Sequence, residues 1–135
     1  MKYILLILFF LSFCNYSIAQ KKKDNTIIVH GFVNYTKLKE ALFKEGFVPT
    51  NSDTSFIATS SKAVGWIGEV SYLIQRTDSS VIFKGTVNAE SNGVVTGKMP
   101  LANIGSKESV YRAGFALMGK IANSFLLPIT YFRQE

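Results

Sequence analysis

One stretch constrains this chain more than any other. Ser106–Leu127 (SKESVYRAGFALMGKIANSFLL) is the only segment long and periodic enough to form a substantial helix. Val110, Gly114, Leu117, Met118, Ile121 and Phe125 recur at helical spacing, while Lys107, Arg112, Lys120 and Asn123 fall elsewhere. Ser106 is the expected N-cap, and Pro128 stops the helix. Glycine inside a helix costs about 1 kcal/mol relative to alanine. Gly114 and Gly119 therefore point to close approach of this helix to a sheet or a partner.

The chain ahead of it reads as strands around one short helix. Thr26–Phe32 is a β-branched first strand carrying His30, and Tyr35–Gly46 is a helix with Thr36 as N-cap. Leu38, Ala41 and Leu42 form its apolar stripe, and Gly46 ends it ahead of Val48-Pro49. Ser55–Thr59 is a short strand. Glu69–Thr77 and Val81–Ala89 alternate apolar and polar residues, as half-buried antiparallel strands do. Asn92-Gly93 is the strongest hairpin turn, with a return strand starting at Val94–Thr96 and an irregular crossing over Met99–Gly105. Ile129–Phe132 reads as an edge strand or a tail. The order β-α-β-β-β-(β)-α implies an α+β fold: a single antiparallel sheet packed against a long C-terminal helix, with a short helix after the first strand.

The first residues have the layout of an export signal. Lys2 is the charged start, Tyr3–Phe13 is apolar, and Ser17-Ile18-Ala19 precedes Gln20 as a small-x-small cleavage site. The apolar run is shorter than the roughly 20 residues a spanning helix needs. The organisation expected is a signal peptide over residues 1–19, a basic linker over 20–26, one domain over 27–127 and a C-terminal tail over 128–135, in the periplasm or cell envelope. Lipidation of Cys14 is the alternative, although Phe13 stands where a lipoprotein signal prefers a small residue. Cys14 is the only cysteine, so a chain cleaved after Ala19 has no disulfide, thiol nucleophile or thiolate metal site, and its stability rests on its core.

The formal charge of +6 overstates how basic the domain is. Without Lys2 and the run Lys21-Lys22-Lys23 it is nearly balanced, which makes nucleic acid a poor candidate partner. The lysine run supports at most peripheral contact with an anionic membrane.

The phrase Leu38-x-x-x-Leu42-x-x-x-Gly46-Phe47-x-Pro49, followed by Asp53-Thr54-x-Phe56-Ile57-x-Thr59, resembles small exported domains of unknown function from Bacteroidota. More distantly, it is similar to the helix-grip domains of the outer-membrane assembly lipoprotein BamC. The resemblance spans roughly Ile27–Phe125. It implies a sheet gripping a final helix in an exported protein, and it carries no catalytic residues.

The catalytic inventory is thin. His30 is the only histidine, no G-x-S-x-G elbow supplies a nucleophile, and neither H-E-x-x-H nor a calcium-loop pattern is present. Gly93-x-x-x-Gly97-Lys98 superficially matches a phosphate loop but is one residue short and is followed by Met99. No enzyme activity, metal or cofactor is expected. Two features carry binding potential. Trp66-Ile67, between Gly65 and Gly68, forms an exposed apolar tip if its turn projects, or caps the core if it folds back. A groove between sheet and C-terminal helix would be lined by Tyr72, Phe83, Tyr111 and Phe115. The expectation is a monomeric, non-catalytic interaction module binding an envelope protein through Trp66, Ile67, Tyr72 and Tyr111. The alternative is a small apolar ligand or lipid held in that groove.

Overall fold

A computed structural model of the protein describes residues 21–66, 68–91 and 94–135. The β-branched run forms β1, Thr26–His30, with Ile27 and Val29 fully buried and Ile28 half-buried on the opposite side. Helix α1 follows at Tyr35–Lys44. Its N-cap is Asn34 rather than Thr36: the Asn34 side chain accepts from the Thr36 amide at 2.7 Å. At its other end Gly46, with φ at +83°, donates to the Phe43 carbonyl, and Phe47 donates to that of Leu42. This is a Schellman closure, and Leu42 and Phe47 are buried together behind it. The Lys62 ammonium donates to the Glu45 carbonyl and lies 5.5 Å from the centre of the Phe47 ring.

Six further strands complete one sheet: β2 (Phe56–Ala58), β3 (Lys62–Ala63), β4 (Glu69–Arg76), β5 (Ser80–Ser91), β6 (Val94–Pro100) and β7 (Ile129–Phe132). All pairings are antiparallel. The order is β2-β4-β5-β1-β7, with β3 also paired to β4 and β6 to β5. The long strand β5 serves two neighbours on one side, pairing β1 along Ser80–Lys84 and β6 along Thr86–Ser91. One expectation changes here: the return strand runs on to Pro100 where an irregular crossing was expected. Of the two readings of the C-terminal segment, the edge strand is the one observed, paired with β1. The hairpin dipeptide Asn92-Gly93 lies outside the described residues.

Helix α2 is Val110–Asn123. It is shorter than its apolar periodicity suggested, because Ser109 rather than Ser106 caps it, accepting from the Arg112 amide at 3.2 Å. After Ser124, Leu126 takes φ of +56°, and Pro128 follows. The buried face of α2 (Val110, Gly114, Phe115, Met118, Gly119, Ile121, Ala122) lies on the sheet, and its neighbours there are β5, β1 and β4. One core row crosses five strands in register: Ile57, Ile74, Phe83, Ile27 and Tyr131. The next row over faces the other way and carries Phe56, Gln75, Ile82, Ile28 and Thr130.

The two helix glycines are not equivalent. A Cβ on Gly114 would fall 2.7 Å from Val70 Cγ1 and 3.0 Å from Leu101 Cδ1. On Gly119 the nearest atom would be the Tyr131 hydroxyl at 3.6 Å, an ordinary contact. Val70 is β-branched on a strand and cannot swing aside. Gly114→Ala is therefore expected to lose about 1–3 kcal/mol by overpacking, outweighing its gain in helix propensity. Gly119→Ala should gain up to about 1 kcal/mol. Urea denaturation of both variants checks this, and equal effects of one sign would contradict it.

Candidate functional site

The Trp66 tip is built by glycine conformations. Gly65 has φ of +72°, and a side chain there would meet the Glu108 carbonyl oxygen at 2.6 Å, so only glycine lets the loop press against the segment leading into α2. The Trp66 amide donates to that carbonyl at 3.2 Å, and Val64 donates to the Gly68 carbonyl at 3.3 Å. The backbone is thus held from both sides while the indole stays 79% exposed. Of the two sequence readings, the projecting tip is the geometry observed. Ile67 lies outside the described residues, as do Ala19 and Gln20 of the expected cleavage site.

Tyr72 corrects the groove expectation. It is fully buried, its ring centre 4.5 Å from that of Phe47, and its hydroxyl donates to the Gly114 carbonyl at 2.8 Å. Burial, with a smaller effect from the Glu45 carboxylate, raises the phenol's pKa far above its ordinary value. Phe83 and Phe115 are fully buried too. These rings are core because a tyrosine whose hydroxyl finds a helix carbonyl can be buried at little cost. Tyr111 is half-buried in the first turn of α2, its hydroxyl donating to Met99 Sδ at 3.3 Å. Among the described residues of the expected set, Trp66 and Tyr111 come to the same end of the molecule, around the start of α2.

A cleft lies elsewhere, between α1 and the turn after α2. It measures about 620 Å³ and is walled by Val33, Ala41, Phe125 and Leu127, with Phe32 and Leu126 at its mouth and Lys37, Glu40 and Lys44 along the helix side. Leu126 is 92% exposed and sits in the left-handed region, where a side chain costs about 1–2 kcal/mol. Sequence reasoning missed this cleft because its walls come from segments about ninety positions apart. The available signal was Leu126 just ahead of Leu127-Pro128, where glycine is the usual residue.

The segment expected to be a free linker is tied down. Lys23 donates its amide to the Asn103 carbonyl at 3.0 Å, Asn103 donates its amide to the Asp24 carbonyl at 2.8 Å, and Asn103 Nδ2 reaches the Lys21 carbonyl at 2.8 Å. The Asp24 carboxylate, almost fully buried, accepts from the Lys21 amide at 2.6 Å.

His30 is exposed at the end of β1, with Nε2 2.7 Å from Thr130 Oγ1. No carboxylate bonds to it among the described residues, and among these no group of three or more potential ligands gathers for a metal. No described helix is long and apolar enough to cross a membrane. Compared with protein-family models, curated proteins and solved structures, the chain shows no significant match.

Asp53 is the one exposed acid among the described residues with a shifted titration. Amide bonds from Ser55 at 2.7 Å and Phe56 at 3.1 Å hold its carboxyl below the ordinary 3.8. Because the folded value is depressed, its contribution to stability is present above the unfolded value and is lost as pH falls through the folded one. Acid titration followed by amide exchange should therefore loosen Ser55 and Phe56 with a midpoint below pH 3.8, and Asp53→Asn should abolish that step. A titration midpoint above 3.8 would contradict the geometry.

Proposed function

We propose that the protein is an exported, non-catalytic interaction module of the cell envelope that holds a protein partner at the amino-terminal end of α2, with Trp66 as the anchor. The observation that carries this reading is a large aromatic side chain left in water on a backbone locked against the fold. Tryptophan is enriched among residues that dominate binding energy, because it buries much area while losing few rotamers. Half-buried Tyr111, in the first turn of the same helix, donates its hydroxyl to the sulfur of exposed Met99 and offers a second apolar contact. Export is supported by the leader pattern of residues 1–20.

Trp66→Ala should change stability by less than about 0.5 kcal/mol, since the side chain packs on little. It should also abolish recovery of a partner cross-linked in the envelope. Trp66 is the only tryptophan, so its fluorescence should shift to the blue when the purified partner is added. A partner recovered equally well by Trp66→Ala would sink the reading.

A second reading is favoured by the α1–α2 cleft, whose volume falls within the roughly 300–1,000 Å³ of small-molecule sites. It would take a single-chain amphiphile, apolar tail against Phe125 and Leu127 and acidic head toward Lys37 or Lys44. Oleate is the probe. Leu126→Gly should relieve the left-handed strain, stabilising the fold by about 1 kcal/mol, while weakening oleate binding measured by native mass spectrometry. Unchanged binding in that variant would remove the cleft from consideration.

A further inference from the structure

Asn103 brings together two basic segments that are far apart in sequence. Through its amide, carbonyl and side chain it holds the Lys21–Asp24 turn, and it also walls two adjoining depressions at the start of α2. One, about 380 Å³, is lined by Lys22, Asn103, Ile104, Gly105 and Arg112. The other, about 460 Å³, is lined by Asn103, Lys107, Arg112 and Ala116. Arg112 stands between them, one guanidinium nitrogen 3.5 Å from the Gly105 carbonyl.

All the charged side chains on these walls are cations. The nearest buried acid, Asp24, is turned to the Lys21 amide. Glu108 follows Lys107 in sequence, yet the ion pair found among the described residues is Lys120–Glu45, at the other end of α2. Like charges gathered without a counter-charge repel one another. Here specific backbone bonds hold them together, so the fold bears that repulsion by construction. The amino end of α2 is capped internally by Ser109, which leaves the cationic side chains to attract a ligand.

We infer that Lys22, Lys107 and Arg112 form a binding site for a phosphate-type anion, either a free phosphate or the headgroup of an anionic lipid. Arg112 supplies the planar donor fork suited to phosphate oxygens, and the two lysines add point charge on either side. The inference is independent of the protein partner at Trp66, and its test needs none.

The probe is inorganic phosphate, titrated into the purified protein at low ionic strength with chloride as the matched control, because salt screens an exposed site. Saturable amide shifts are expected at Lys22 and along Asn103–Arg112. Arg112→Ala should weaken binding about tenfold or more. Lys107→Ala should weaken it severalfold, and Lys39→Ala should leave it unchanged. Amide spectra of each variant confirm its fold, and exposed Lys107→Ala decides the matter if Arg112→Ala does not fold. In a second arm, vesicles of phosphatidylcholine with and without phosphatidylglycerol are followed by Trp66 fluorescence. Phosphate saturation together with binding to the anionic vesicles alone identifies a lipid headgroup. Phosphate saturation without vesicle binding identifies a free phosphate. Shifts that never saturate, or that persist unchanged in Lys107→Ala, overturn the site.

Discussion

The rest of the structure depends on how closely α2 can approach the sheet. Gly85 on β5 and Gly114 on α2 face the same side chain, Leu101, which is fully buried between them. A Cβ on Gly85 would fall 2.5 Å from Leu101 Cδ2, so this leucine occupies the space left by Gly85 and, with Val70, that left by Gly114. Tyr72 completes the contact by bonding the Gly114 carbonyl from the strand beside Gly85. The apolar packing is non-directional, and the buried Tyr72–Gly114 hydrogen bond sets where along the helix it occurs.

The same contact propagates to the surface. Leu101 donates its amide to the Gly85 carbonyl at 2.8 Å, which anchors the chain as it leaves β6. Two residues later Asn103 is in place to hold the Lys21–Asp24 turn, so the first described residues are positioned by the middle of the chain. Just before the same helix, the Glu108 carbonyl receives the Trp66 amide. An exposed indole and a cationic cluster with no ion pair among the described residues thus gather at one helix terminus, each held by backbone bonds that belong to the core's own geometry. The far end of α2 is tied differently, through the Lys120–Glu45 ion pair at 2.8 Å, which is too exposed to contribute more than about 1 kcal/mol.

Binding surfaces and core draw on the same residue types, and that limits what aromatic content reveals. Tyr72 and Trp66 sit six positions apart, one fully buried and the other largely in water. Tyr72 is on a strand whose inward face is covered by α2, while Trp66 lies on a loop whose glycines allow its backbone to fold tightly and turn the ring outward. The opposite sheet face, with Phe56 and Leu73 partly exposed, shows the same economy: there is more apolar surface than two helices can cover.

What the sequence determined by itself is the local grammar. Alternation along Glu69–Thr77 and Val81–Ala89 marked which residues of these two strands share a face, because a strand's side chains repeat every two residues. The helical period marked α2, the Gly46 stop closed α1, and strands joined by short turns made the α+β class and the antiparallel sheet readable. Tertiary structure alone decided the rest. The helix caps fell to Asn34 and Ser109 because those hydroxyl or amide oxygens meet the free amides once the loops are in place. Ile129–Phe132 became an edge strand because β1 had an open side. Lys22 came to share a depression with Arg112, next to the one Arg112 shares with Lys107, only because Asn103 bonds a turn some eighty residues away. Such pairings depend on where distant segments come to lie in space, and no local period or propensity records that.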